Sequence, residues 1–314
     1  MPNLISRIID PWYPATAIGL EKGTASVVHL EKAGGVTCTV RRAATFDLAE
    51  SIIRPDFDER NIENPSQLAS ILSELATSAG LIRQKRWSLS LPETTTKTLV
   101  LTMETQPQSS SELQEVLTWK MERGFGAPLS ELSISRDRLE KDSQGRDRYL
   151  VIATRRDVLA EYESLLESLG WRAGLILPRH FGESRWLVRN GSSGDSLLLS
   201  GSTNGFTAVI MRDKHPLIVR TVTCHEAECE DELYRLLLFY RDRRSTDGDG
   251  RTGLARLMVV GNGLTRVRTQ EIVNETTGEH LRPLSATDLG LMLPGRELDF
   301  YAIAAPAGLA TLSF

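Results

Sequence analysis

The run IGLEKGTASVVHL, residues 18–30, reads as two short strands folded back on each other around a tight turn, Glu21-Lys22-Gly23-Thr24. Outward from it, Gly34-Gly35 turns the chain into a third strand over 36–46, where Thr37, Thr39 and Val40 favour extended backbone. Leu68, Ile71, Leu72 and Leu75 fall at i, i+3, i+4 and i+7, so they predict a helix over 66–79 that stops at Gly80. Trp87-Ser88-Leu89-Ser90-Leu91 then reads as a strand.

The same order returns later. Residues 196–200 form an apolar run, 201–205 (GSTNG) a polar turn, and 206–211 a second strand. Asp213-Lys214-His215-Pro216 turns the chain into a third strand over 217–223. A helix over 227–243 is apolar at Leu233, Leu236, Leu237 and Tyr240, and 257–260 is a short buried strand closed by Gly261-Asn262-Gly263. Strand–strand–strand–helix–strand, read twice, is a duplicated α/β unit.

Between the copies, residues 93–178 read as a small α+β insertion. It holds a strand near 98–103 and a helix opened by a Ser109/Glu112 capping box, with Leu113, Val116, Leu117 and Met121 on one face. A hairpin follows from 132–136 and 149–154 around a polar loop, then a helix over 157–169 and a strand over 171–177. The domain expectation is therefore 1–92, 93–178 and 179–314. A linking helix over 179–190 and a C-terminal helix, interrupted at Pro306, are expected to pack back on the first half. Leu4, Ile5, Ile8 and Ile9 suggest a short amphipathic helix, and residues 244–253 (RSTDGDGRTG) suggest a solvent loop.

Composition narrows the function classes. Of the 314 residues, 40% are hydrophobic and 25% charged, enough apolar material for a large core and against disorder. A net charge of −4 argues against a general nucleic-acid binder. No run of apolar residues is long enough to cross a bilayer as a helix, no secretory leader is evident, and three cysteines make no disulfide framework, so the chain reads as cytosolic. Cys224-His225-Glu226-Ala227-Glu228-Cys229 lacks a second ligand pair downstream, so no metal site is expected. The basic clusters near Arg83, Arg155 and Arg241 sit at helix ends or beside acids, and solvation explains them. No catalytic triad or dyad follows from the spacing of Ser, His, Cys and Asp.

Two facing α/β units resemble the actin-like ATPases, whose ribonuclease H-like halves hold a nucleotide between two glycine-containing hairpins. More specifically, residues 18–30, SLPETTTKTLVLTM (90–103), SELQEVLTWKMERGFGAPLSEL (111–132), YLVIATRRDVLAEYESLLESLGWRAGLILP (149–178) and VVGNGL (259–264) resemble the PilM family of type IV pilus assembly, and more distantly FtsA. The resemblance implies a cytoplasmic scaffold at the inner face of the inner membrane. It implies capture of the cytosolic N-terminal peptide of a PilN-like membrane partner, in a groove between the first subdomain and the inserted one. It also implies contact with the pilus motor ATPases; self-association is left open, and no nucleic-acid partner is expected.

The resemblance places ATP and magnesium in a cleft at Glu21, Gly23 and Thr24, at Gly201, Gly205 and Thr207, and at Gly261 and Gly263. The match is imperfect. Glu21 stands where the family has aspartate, and the second aspartate position falls at Leu199, which cannot order water or bind a cation. Efficient hydrolysis is not expected. The glycines read equally well as turn residues. Leu99, Leu101, Leu113, Val116, Leu117 and Met121 are the candidates for the wall of the peptide groove, with an ordinary core as the other reading. Two further functional readings stand beside the scaffold: a nucleotide-switched actin-like ATPase, and a cytosolic module of a type II secretion platform.

Overall fold

β1 (Thr16–Glu21) and β2 (Thr24–Gly34) make the hairpin expected at residues 18–30, with Ile18 opposite Val27 and Glu21 opposite Thr24 at the turn. The architecture comes from a computed structural model that describes residues 13–104, 107–189, 194–246, 252–295 and 298–314. β3 (Thr37–Asp47) runs antiparallel to β2, and β4 (Arg86–Leu91) runs parallel to β1. Before β4, α1 (Pro65–Ser78) starts where the Asn64 side chain accepts the Gln67 N–H, and it buries Leu68, Leu72 and Leu75.

The second half repeats this plan. β9 (Gly194–Ser202), β10 (Gly205–Arg212) and β11 (His215–Thr223) form a meander, and β12 (Thr252–Gly261) returns parallel to β9. The order β3-β2-β1-β4 in one sheet matches β11-β10-β9-β12 in the other. The fold is thus the duplicated, actin-like α/β arrangement. In the second half, α5 (Cys229–Thr246) and α6 (Arg266–Thr277) cover the sheet, burying Leu233, Leu237 and Tyr240 from α5 and Ile272 and Val273 from α6.

The inserted unit is smaller than 93–178. β5 (Lys97–Thr102), β6 (Leu132–Leu139) and β7 (Arg148–Arg155) form an antiparallel sheet in the order β5-β7-β6. α2 (Ser110–Phe125) lies on it, with the Ser109 hydroxyl accepting the Glu112 N–H at 3.1 Å. Glu112 reaches back to the Gln108 N–H, one residue before the cap. α3 (Arg156–Ser168) and β8 (Arg172–Pro178) belong to the first half: Val158, Tyr162, Leu165 and Leu166 share a core with Leu68 and Trp87, and β8 pairs with β4. The apolar face of α3 packs into the core of the large sheet, which moves the boundary to residue 155.

Two helices join the halves. α4 (Arg179–Arg189) follows β8, and α7 (Phe300–Ala310) crosses it with Gly182 and Gly308 at the contact, where a Cβ on either would strike the other helix's backbone. The core around them mixes Ala17, Val28 and Val40 of the first half with Leu198, Val209 and Met258 of the second. β13 (Leu291–Met292) adds to the first sheet beside β3. Pro306 does not interrupt α7. Its ring packs over Gly19, whose missing side chain leaves the room, so tertiary contact offsets the backbone hydrogen bond that proline cannot donate.

α5 extends to Thr246 and β12 begins at Thr252, so the expected loop over 244–253 is shorter, and its middle lies outside the described residues. The apolar stripe Leu4, Ile5, Ile8 and Ile9 also lies outside them. Among the described residues, no helix is long and apolar enough to cross a membrane.

Candidate functional site

A cleft of about 330 Å³ opens between the halves, walled by the ends of β1 and β12 and the start of α7. Glu21, Thr24 and Gly261 line it, together with Asp47, Asn262 and Arg266. The Arg266 guanidinium stacks 3.4 Å from the Tyr301 ring centroid. The remaining nucleotide candidates lie elsewhere. Gly23, at φ +84°, occupies the turn itself, and its carbonyl accepts the Leu48 N–H. Thr207 is fully buried and shares a hydrogen bond with the Thr221 hydroxyl. Gly205 and Gly263 border a smaller neighbouring pocket with Ser202 and Cys229.

A side chain that sequence reasoning missed dominates the cleft. Arg179, the first residue of α4, donates from Nη1 to Glu21 Oε2 at 3.0 Å and from Nε to Glu183 Oε1 at 2.6 Å. Nη1 also points to the Gly201 carbonyl at 3.4 Å. Burial alone would lower the arginine pKa; the Glu183 and Glu21 carboxylates overcome that and raise it, so the guanidinium is held charged.

Next to it, the His180 Nδ1 lies 2.7 Å from Glu93 Oε1, and Nε2 lies 3.2 Å from the Thr98 hydroxyl. Burial opposes ionisation of Glu93, but the His180 imidazole, a hydrogen bond from Thr207 and the Arg179 charge bring its pKa below the usual value. An ionised carboxylate only accepts, so the proton sits on Nδ1. Glu21, Glu93 and Arg179 lie at or just beyond the ends of β1, β4 and β8, which are parallel neighbours in the first sheet, so the order of that sheet brings them together, and Glu183 joins them one turn along α4.

The residues present do not make the magnesium site that the resemblance implies. Glu21 is committed to Arg179. The hairpin register gives Ser202, not Leu199, the place of Glu21, because Ser202 faces Gly205 at the turn as Glu21 faces Thr24. Leu199 is opposite Ala208, fully buried in the second-half core, so it never had access to the cleft. Neither residue supplies the oxygen charge that Mg²⁺ requires. Gly201 is not an open cradle either: the space a Cβ would take is already filled by the Asn262 carbonyl. Among the described residues, no group of three or more His, Cys, Asp or Glu is placed to hold a metal. Cys224 and Cys229 are free thiols with sulfurs 2.8 Å apart, and burial together with that neighbour pushes the Cys224 thiol up to about 12.

A second feature lies beside the inserted unit. A groove of about 320 Å³ runs between the inserted sheet and the large sheet, with Ile134, Ile152, Leu159, Leu175, Ile176 and Leu177 along it. Its walls include β6, at the edge of the three-stranded sheet, and β8, at the edge of the six-stranded one. The residues expected to form such a wall lie in the core of the insertion instead. Leu117 and Met121 are buried under α2, and Leu99, Leu101, Leu113 and Val116 pack against them. The helix stripe that drew the expectation faces its own sheet, as amphipathic helices do in a two-layer unit.

No protein-family model matches the chain, and no curated protein does. Among solved structures, a chain of a PilM–PilN type IV pilus biogenesis complex superposes with a TM-score of 0.72 at 16% identity, covering 96% of this chain and 99% of that one. The fold is PilM-like. A Bacteroides thetaiotaomicron protein of unknown function with an actin-like ATPase fold aligns at TM-score 0.46 and 11% identity, over 99% of this chain and 100% of that one. The cytoplasmic domain of EpsL, an inner-membrane component of the type II secretion system of Vibrio cholerae, aligns at TM-score 0.48 and 12% identity, over 95% of both chains.

Proposed function

We propose that this chain is a cytoplasmic scaffold of a type IV pilus inner-membrane platform, which captures the cytosolic N-terminal peptide of a PilN-like membrane protein. The groove between β6 and β8 carries the reading. Two sheet edges face it, neither paired with a further strand among the described residues, and Ile134, Leu175 and Leu177 supply apolar pockets between them. An extended peptide laid there pairs its backbone with one edge and drops alternate side chains into the pockets. The PilM-like fold supports the choice of partner, since the similar structure is a complex with PilN. The motor ATPases of pilus extension and retraction are the further partners in this reading. The protein then reaches the membrane through its partner.

Titration of the purified chain with a synthetic peptide of the PilN-like protein's cytosolic segment tests this. Saturable binding is expected, weakened at least tenfold by Ile134→Asp or Leu175→Asp, which correspond to the loss of one apolar anchor each. Unchanged affinity in both variants would place the peptide elsewhere and remove the groove from the proposal.

A further inference from the structure

The cleft already contains a cation. We propose that Arg179 takes the place of the metal-bound nucleotide and clamps the two halves shut without any ligand. Three observations carry this. First, Arg179 bridges the halves directly: Glu21 belongs to the first hairpin and Gly201 to the second, and one guanidinium nitrogen reaches both. Second, the bridge is fixed from behind. Glu183, one turn along α4 and fully buried, holds the Nε of the same side chain, so the guanidinium has one orientation. Third, the guanidinium packs against the backbone of the second half. Gly201 and Gly261 meet at the ends of β9 and β12, where a Cβ on either residue would collide with the opposite strand or with Arg179 itself.

In an actin-like cleft that works by nucleotide, a bound anion and its metal supply the charge that draws two acidic or polar hairpins together, and closure follows the ligand. Here the positive charge is covalently part of the chain. A glutamate at position 21, one methylene longer than the aspartate of the family turn, is long enough to meet it at 3.0 Å. The substitution that degrades the magnesium site is therefore the one that completes the clamp. The consequence is a pair of halves bridged without a ligand. This inference is independent of the peptide groove, since none of the clamp residues lines it.

The test uses the full chain and three readouts. Calorimetric titration with Mg-ATP, repeated as thermal unfolding, is expected to give no saturable heat and an unmoved melting temperature at millimolar ligand. Hydrogen exchange is then compared between the wild type and Glu21→Gln, a change at a position partly open to solvent that keeps the side chain's size. Amides of residues 19–24 and 261–263 should exchange about tenfold faster or more, the factor expected when a charge-assisted hydrogen bond is lost. Amides of α2 in the insertion should not change. Arg179→Met should give the same regional pattern; if that variant does not fold because Glu183 is left buried and unpaired, Glu21→Gln alone decides. Saturable Mg-ATP binding by the wild type would overturn the proposal, and so would unchanged exchange around the cleft in Glu21→Gln.

Discussion

At the residue scale, the charges buried near the seam have defined costs and partners. Glu93 is ionised in the folded state because His180 and Arg179 outweigh its burial, so its pKa lies below the ordinary glutamate value of 4.5. A depressed carboxylate stabilises the fold fully above the unfolded-state value, and that contribution is lost as the pH falls through the folded-state value. Glu93→Gln should therefore destabilise the chain by about 2 kcal/mol near neutral pH, the worth of a hydrogen bond to a charged group. The gap between variant and wild type should narrow as the pH drops below about 4.5, measured by denaturant unfolding across a pH series. A gap independent of pH would mean that Glu93 acts by shape and not by charge. The turn residues Glu21, Gly23 and Thr24 were legible from sequence because a tight hairpin needs only its neighbours. Arg179 and its two carboxylates were not, because Glu21 is 158 positions from the arginine it pairs with.

At the element scale, α4 and α7 cross at close range through two glycines. Glycine inside a helix is ordinarily a weakness, worth roughly 0.5–1 kcal/mol relative to alanine. At Gly182 and Gly308 the sign reverses, since an added methyl group would strike the opposite helix's backbone. Gly308→Ala is expected to lower stability by about 1–3 kcal/mol, as overpacking does, while Gly278→Ala, with no atom near its Cβ position, only meets the cost of a positive φ at a helix end. Thermal unfolding of the two variants side by side separates crowding from backbone strain. The elements themselves show where periodicity suffices. α1, α2 and the meanders of both sheets were readable because one face is apolar at a regular spacing. α6, RVRTQEIVNETT, has few apolar residues and buries Thr269 and Thr276 with Ile272 and Val273, so its pattern is hidden. The assignment of α3 to the first half was hidden as well, for an apolar stripe says that a face is buried and not which sheet buries it.

At the scale of the whole molecule, the two copies are not two beads on a string. The first sheet takes β13 at one edge, and α7 packs against β1, β2 and β4, so the last part of the chain completes the first half. Val28, Leu30, Cys38 and Val40 share a core with Ile303, Ala307 and Leu309. A chain divided between Arg189 and Gly194 should therefore give an amino-terminal piece that does not hold its tertiary structure alone and regains it when the two pieces are mixed. Near-ultraviolet circular dichroism and co-elution on gel filtration check this, and a well-folded isolated first piece would contradict it. The duplication was visible in the order of strands and turns, whereas this interleaving depends on where the chain ends up after leaving the second sheet. It also sets a timetable for biosynthesis. A ribosome delivers the first hairpin early, but the strand and helix that seal it follow the whole second sheet, so the nascent polypeptide carries an unfinished apolar face until residues 291–310 have been made.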